Sequence, residues 1–156
     1  MAEFNNGVPK ERCGWRDEKI SRRHRRWGRS CPLVDLDWLV IEYHTNKAVA
    51  LIEYKHKNVK SPPNIQNSNY QALIDLADKA DIPIYAVYYD PDVWSFDVFP
   101  INDKACEWLN SPAKMTEREY VRLMYQIRYT TIGADVLKNL KDDFSCPGEQ
   151  IKWSGF

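Results

Sequence analysis

A nearly continuous apolar run, IPIYAVYY at residues 82–89, constrains the fold of this chain most strongly. A strand with one solvent-exposed face alternates apolar and polar residues, whereas an uninterrupted apolar run is expected for a strand buried on both faces. Such a strand needs a layer of structure on each side of its sheet. The run therefore predicts the central strand of an α/β domain, and 156 residues are enough to bury that core.

Two further strands are predicted upstream, at Leu39–Tyr43 and Ala48–Tyr54, from their β-branched and aromatic content. The residues between them, His44 to Asn46, suit a three-residue turn in which Asn46 adopts the left-handed conformation. That turn places Tyr43 opposite Lys47 and fixes the pairing of the two strands.

Four ionisable residues gather at one end of this hairpin, Asp35, Asp37, Glu53 and Lys55. With the three-residue turn, Asp37 faces Glu53 and Asp35 faces Lys55, so that all four charges share one face of the sheet. A two-residue turn would instead pair Trp38 with Glu53 and move the aspartates to the opposite face. The structural alternative is an ordinary cross-strand ion pair between Asp35 and Lys55 at an exposed sheet end.

A helix is predicted between the hairpin and the apolar run, starting at Asn67 or Ser68 and ending near Ala80. Its predicted apolar face consists of Leu73, Leu76, Ala77 and Ala80. A helical crossover makes the strands that it joins parallel. With another strand at Trp94–Phe99, the pattern predicts a mixed sheet flanked by helices.

The rest of the chain completes one predicted domain, residues 1–156. Residues 1–14 are expected to form a flexible arm, 15–100 the core, and 101–156 a C-terminal helical extension. Thr116 to Glu119 match a capping box before a helix with an apolar stripe, and Ala134 to Leu140 suit a second helix. The stripe comprises Tyr120, Leu123, Met124 and Ile127.

Adjacent buried carboxylates are unfavourable, and one of them normally takes up a proton. A divalent cation removes the conflict, because Mg²⁺ prefers one or two carboxylates together with waters and phosphate oxygens. Asp37 and Glu53 on neighbouring strands suit such an ion, and Lys55 points to the same face as Glu53. Its ammonium can orient a water and neutralise charge that develops on a phosphate.

The arrangement resembles the PD-(D/E)XK nuclease superfamily, whose fold is that of the restriction endonucleases. The resemblance is carried by Asp37, or alternatively Asp35, as the first acid, and by the triplet Glu53-Tyr54-Lys55, followed by a helix and a strand. It implies a Mg²⁺ or Mn²⁺ site, with Glu18 as a further acid and Gln71 as a polar site residue. It also implies hydrolysis of DNA that leaves a 5′-phosphate.

The formal net charge of zero hides a basic segment, since residues 10–29 hold nine Lys and Arg against three acids. Such a segment can bind a polyanion, or it can be a solvated helix face. A helix is predicted from Asp17 to about Trp27, ending at Gly28. The arginines expected to contact DNA are Arg22, Arg23, Arg25, Arg26 and Arg29.

Four cysteines lie far apart without a CxxC pair, which favours reduced thiols over a disulfide scaffold. A zinc site from Cys13, His24 and Cys31 is the alternative, although it lacks a fourth ligand and standard spacing.

Taken together, the residues predict a metal-dependent deoxyribonuclease that is cytoplasmic and does not contact a membrane, and a homodimer is compatible with this prediction. The alternative is a catalytically inactive module on the same fold that binds nucleic acid or another protein.

Overall fold

The computed structural model describes residues 18–30 and 34–145, together with residues 4–5 and 8–9. For residues 4–5, 8–9, 18, 21 and 24 it describes the backbone alone. The chain divides into two compact units, Met1–Leu33 and Val34–Phe156.

The first unit contains a short antiparallel pair and one helix. Strands β1 (Phe4–Asn5) and β2 (Val8–Pro9) pair within the predicted arm. Helix α1 spans Glu18–Arg25, which lies inside the predicted helix and ends two residues earlier. Gly28 follows with φ 98°, a conformation that glycine adopts readily and that suits the predicted stop.

The second unit is built on a five-stranded mixed sheet, as the apolar run and the crossover predict. Its strands lie in chain order across the sheet, and all neighbours are antiparallel except β4 and β5. The strands are β3 (Trp38–Ile41), β4 (Ala48–His56), β5 (Ile84–Asp90), β6 (Ser95–Pro100) and β7 (Ala113–Thr116). The central strand β5 begins after Pro83, because proline lacks the N–H that a central ladder requires.

Helices cover both faces of this sheet. They are α2 (Ser68–Ala80), α3 (Asp103–Cys106), α4 (Glu117–Ile127) and α5 (Ala134–Leu137). Leu73 and Ala77 of α2 pack in one cluster with Leu51, Ile82 and Ile84. On the other face the predicted stripe of α4 is buried in a larger cluster with β4, β5 and β6. The fold is therefore α/β, with a two-sided core around β5.

Helix α2 matches its predicted bounds. Asn67 is the N-cap, and its side chain accepts a hydrogen bond from the N–H of Asn69 (2.8 Å). The predicted apolar face needs a correction, because Leu76 is 47% exposed and Ala80 is exposed. The buried face instead runs through Leu73 and Ala77.

The C-terminal region differs from the prediction more than the rest. The capping box forms as predicted, with Thr116 and Glu119 bonding reciprocally. Strand β7 and the short helix α3 were not predicted, because four residues each are too few to show a period. Helix α5 ends at Leu137 rather than Leu140.

A buried asparagine joins the start of β5 to α2 and α3. The Asn102 side-chain oxygen accepts from the N–H groups of Ile84 (3.1 Å) and Ala105 (3.0 Å). Its Nδ2 donates to the Ile82 carbonyl (3.0 Å) and to the Asp78 carboxylate (2.9 Å). With 6% exposure, the side chain satisfies backbone groups that would otherwise be buried without partners.

Candidate active site

Strand β4 carries Glu53 and Lys55 on the face of the sheet that α2 covers. Side chains two residues apart point to the same face, and Leu51, two residues before Glu53, packs in the cluster with Leu73 of α2. Parallel pairing sets Lys55 beside Tyr88 of β5. The charged residues thus begin where the apolar packing under α2 ends.

The turn between β3 and β4 is longer than predicted. Asn46 has the left-handed conformation expected of it (φ 55°), but the N–H of Glu42 donates to the Lys47 carbonyl (2.8 Å), so four residues form the turn instead of three. The Glu42 carboxylate stabilises this turn by accepting from the Thr45 hydroxyl (2.6 Å) and from the N–H groups of His44 and Thr45 (2.9 and 2.7 Å). These bonds, led by that of the Thr45 hydroxyl, lower the pKa of Glu42 to about 2.

The longer turn leaves the rest of the hairpin in its predicted register. A shift of one residue at the end of β3 compensates for it, so Leu39 pairs with Leu51. Strand β3 starts immediately after Asp37. Asp37 is exposed, and its carboxyl acts electrostatically on the Glu53 carboxyl.

Glu53 receives opposing influences from its neighbours. The Lys55 ammonium donates a hydrogen bond to its Oε1 (2.6 Å), which favours the carboxylate. Burial and the Asp37 carboxyl oppose ionisation, and the pKa of Glu53 is raised with burial as the largest cause. The pKa of Lys55 is also raised, chiefly by its bond to Glu53 and further by Asp37, so the ammonium stays charged. The cluster therefore combines two carboxyl groups that repel each other when ionised, Asp37 and Glu53, with one charged ammonium, that of Lys55.

The raised pKa of Glu53 predicts a pH-dependent stability. Between the ordinary pKa of 4.5 and the raised pKa, Glu53 keeps its proton in the folded chain but loses it in the unfolded chain. The free energy of unfolding therefore falls as the pH rises through this range. Glu53→Gln removes this loss, and we expect its free energy of unfolding to rise relative to wild type across that window. Urea unfolding between about pH 4 and pH 8 measures the difference. A difference that does not vary with pH would contradict the prediction, and Asp75→Asn on the exposed side of α2 is the matched control.

The other predicted acids and Gln71 lie elsewhere or are not described. Asp35 is exposed and precedes β3. Gln71 is exposed, and its Nε2 donates to the Ile65 carbonyl in the preceding loop (2.6 Å). The side chain of Glu18 lies outside the described residues, and its backbone begins α1 in the other unit. The structure brings together Asp37, Glu53 and Lys55.

Two tyrosines beside the cluster were not predicted as site residues. Tyr70 lies in the first turn of α2, three residues before buried Leu73, and burial with the nearby Glu53 carboxyl raises its pKa to about 12. Tyr88 is the neighbour of Lys55 on β5, and its hydroxyl donates to the Ser61 carbonyl (2.8 Å). Helical spacing from Leu73 indicates Tyr70 in retrospect, because residues three apart share a helix face.

The arginines predicted to contact DNA belong to the first unit. Arg22, Arg23 and Arg25 are exposed on α1, and Arg26 and Arg29 are exposed after it. The zinc alternative cannot be located, because Cys13, Cys31 and the His24 side chain lie outside the described residues.

The donor set that the cluster offers a divalent cation is small. Among the residues that the structure describes, no three His, Cys, Asp or Glu side chains are grouped so that they could hold a metal ion. Asp37 and Glu53 are two carboxyl groups, and Mg²⁺ is commonly bound by one or two carboxylates when waters and substrate phosphate provide its other ligands. A cation between them would also favour the ionised form of Glu53, whose pKa is raised by burial and, to a lesser degree, by the Asp37 carboxyl.

Comparison with protein-family models, with curated proteins and with solved structures finds no match to this chain. Within the described part of the chain, no helix has both the length and the apolar character needed to cross a membrane. Inferences about function therefore depend on the Asp37–Glu53–Lys55 cluster and its setting in the sheet.

Proposed function

We propose that the chain is a Mg²⁺- or Mn²⁺-dependent nuclease that hydrolyses phosphodiester bonds of DNA, with Asp37, Glu53 and Lys55 as its active site. The observation that carries the proposal is the Glu53 carboxyl, which contacts the Lys55 ammonium at 2.6 Å and is influenced electrostatically by the Asp37 carboxyl. Stability alone gives no reason to bury a carboxyl group beside a second one.

The setting of the cluster agrees with a restriction-endonuclease-like fold. The acid-bearing hairpin β3–β4 is followed by helix α2 and by β5, which pairs in parallel with β4. This is the order of elements in the PD-(D/E)XK superfamily, and the triplet Glu53-Tyr54-Lys55 lies on the second strand of the hairpin. The proposal extends this likeness to the chemistry.

Asp37 and Glu53 would hold the cation, and Lys55 would act on the reacting groups. The cation, when bound, supplies Lewis-acid polarisation of the phosphate and lowers the pKa of a water. The Lys55 ammonium would orient the attacking water. It would also neutralise charge on the phosphate as the bond between phosphorus and the 3′ oxygen breaks. The departing 3′ oxygen takes up a proton, and the phosphate remains on the 5′ carbon of the other product.

The basic first unit would bind the DNA backbone. Arginine offers a planar fork that matches phosphate oxygens, and exposed arginines on a helix can release counterions from DNA. The five arginines that follow Ile20 are exposed: Arg22, Arg23, Arg25, Arg26 and Arg29. Binding through them should weaken as salt concentration rises.

Cleavage assays on purified protein test the proposal. Supercoiled plasmid and end-labelled single strands would be incubated in Mg²⁺, in Mn²⁺ and in EDTA. We expect cleavage in both metals and none in EDTA, and plasmid nicking versus linearisation would report whether one or both strands are cut. A homodimer is the arrangement that would let two such sites cut both strands.

Absence of cleavage by folded protein in either metal would contradict the proposal. Salt-sensitive DNA binding without cleavage would then favour the inactive binding module. That module would retain the Lys55–Glu53 ion pair (2.6 Å) as a structural contact.

A further inference from the structure

Tyr70 places a buried hydroxyl beside the cluster. The Oη atom is buried, and no group among the described residues accepts or donates a hydrogen bond with it. A buried hydroxyl without a partner is unfavourable, and natural structures pair most such groups. Leu73, one turn after Tyr70, packs with Leu51, which lies two residues before Glu53 on β4. The Glu53, Tyr88 and Asp37 groups also act electrostatically on the hydroxyl, so Tyr70 lies near the cluster.

The chemistry of this hydroxyl limits what it can bind. With its pKa raised to about 12, chiefly by burial, Tyr70 remains protonated at neutral pH and can donate a hydrogen bond. Asp37 and Glu53 lie near it, yet neither accepts its proton in the structure. A ligand that binds at the cluster and carries acceptor oxygens would satisfy the hydroxyl.

The adjacent residue on α2 is a less suitable donor. The Gln71 amide is exposed and already donates to the Ile65 carbonyl at 2.6 Å. Tyr70 and Gln71 point in different directions, because consecutive residues of a helix are about 100° apart. The face of α2 that packs on the sheet holds Leu73 and Ala77, and Tyr70 continues that face toward the cluster.

We propose that the Tyr70 hydroxyl donates a hydrogen bond to a phosphate oxygen of the bound nucleic acid, and that Tyr70 rather than Gln71 is the α2 residue that contacts substrate. This inference rests on the proposed nuclease function for its catalytic consequence. The contact itself requires only that a phosphodiester occupies the cluster. It forms no covalent bond, and the tyrosine keeps its proton throughout.

Tyr70→Phe tests the inference because it removes only the hydroxyl. We expect the single-turnover cleavage rate in Mg²⁺ to fall about 10- to 100-fold, the effect of losing one hydrogen bond to a charged oxygen. The melting temperature should be unchanged or higher, because an unpartnered buried hydroxyl is removed. Two control variants, Gln71→Leu and Tyr129→Phe, should cleave DNA at the wild-type rate. Tyr129 suits this purpose because it is 86% exposed.

A binding measurement separates this inference from the proposed function. Fluorescence anisotropy of a labelled oligonucleotide in Ca²⁺ should show weaker binding by Tyr70→Phe than by Tyr129→Phe, by about 3- to 10-fold. Wild-type cleavage with Tyr70→Phe equal to wild type in both assays would overturn the inference and leave the nuclease function intact. Loss of affinity in Tyr70→Phe without any wild-type cleavage would support the contact and overturn the nuclease function.

Discussion

Lys55→Ala should reduce Mg²⁺-dependent cleavage of DNA by about 10³-fold, because it removes the only cation seen to contact the Asp37 and Glu53 cluster within the described residues. The variant should still fold, since the Lys55 side chain is 35% exposed and Glu53, whose pKa is already raised by burial, can take up a proton when it loses its cation. The loss should appear in the single-turnover rate at saturating enzyme.

Lys57→Ala is the matched control for this prediction. Lys57 lies two residues further along the same face of the chain, has a side-chain exposure of 37%, and pairs with Asp90 (2.9 Å) and Asp92. It carries the same charge, so general attraction of DNA should change alike in the two variants. Equal cleavage by Lys55→Ala and Lys57→Ala would show that Lys55 has no special role.

Asn102→Ala should destabilise the fold by about 2–4 kcal/mol, because it leaves several buried backbone groups without partners. The N–H groups of Ile84 and Ala105 lose their acceptor, and the Ile82 carbonyl loses its donor. Thermal unfolding should show a melting temperature lower by roughly 5–15 °C.

Two further variants test the same asparagine. Asn102→Asp keeps the accepting oxygen but places a second carboxylate beside Asp78, so it should also destabilise the fold. Asn139→Ala removes an exposed bond to the Asp135 carbonyl (3.0 Å) and should change stability by less than about 0.5 kcal/mol. A similar small effect for Asn102→Ala would contradict the structural role assigned to it.

The elements best predicted from sequence are those with local signals that agree. The helix from Ser68 to Ala80 combines a capping asparagine with helical periodicity, and both bounds match. The apolar run at residues 82–89 supplies most of the central strand β5, Ile84–Asp90, because its length and composition permit little else. The α4 stripe is buried as predicted, since its capping box fixes where the helix begins.

The turn of the hairpin shows why register was harder to predict. The prediction used the left-handed tendency of Asn46, which is present, but did not include the Glu42 carboxylate that binds the turn. A second departure, the register shift near Ile41, compensates for the first. Strand pairing depends on such nonlocal adjustments, which a pattern of residue types does not reveal.

The geometry of the candidate site follows only in part from the sequence, for a similar reason. Glu53 and Lys55 follow from strand alternation, whereas the position of Tyr70 depends on how α2 lies on the sheet. The prediction placed Leu76 on the buried face of α2, although it is 47% exposed. Gln71 was expected from the resemblance to the superfamily, whereas the α2 residue that lies beside the cluster depends on how the helix packs on the sheet rather than on local sequence.

Binding of Mn²⁺, followed by the electron paramagnetic resonance of the free ion, tests most directly whether Asp37 and Glu53 form a metal site. Wild type would be titrated beside the Asp37→Asn, Glu53→Gln double variant, with circular dichroism confirming that both are folded. We expect wild type to bind one Mn²⁺ per chain and the double variant to bind none. Equal binding by the two proteins, or none by folded wild type, would contradict the assignment of this cluster as a metal-dependent active site.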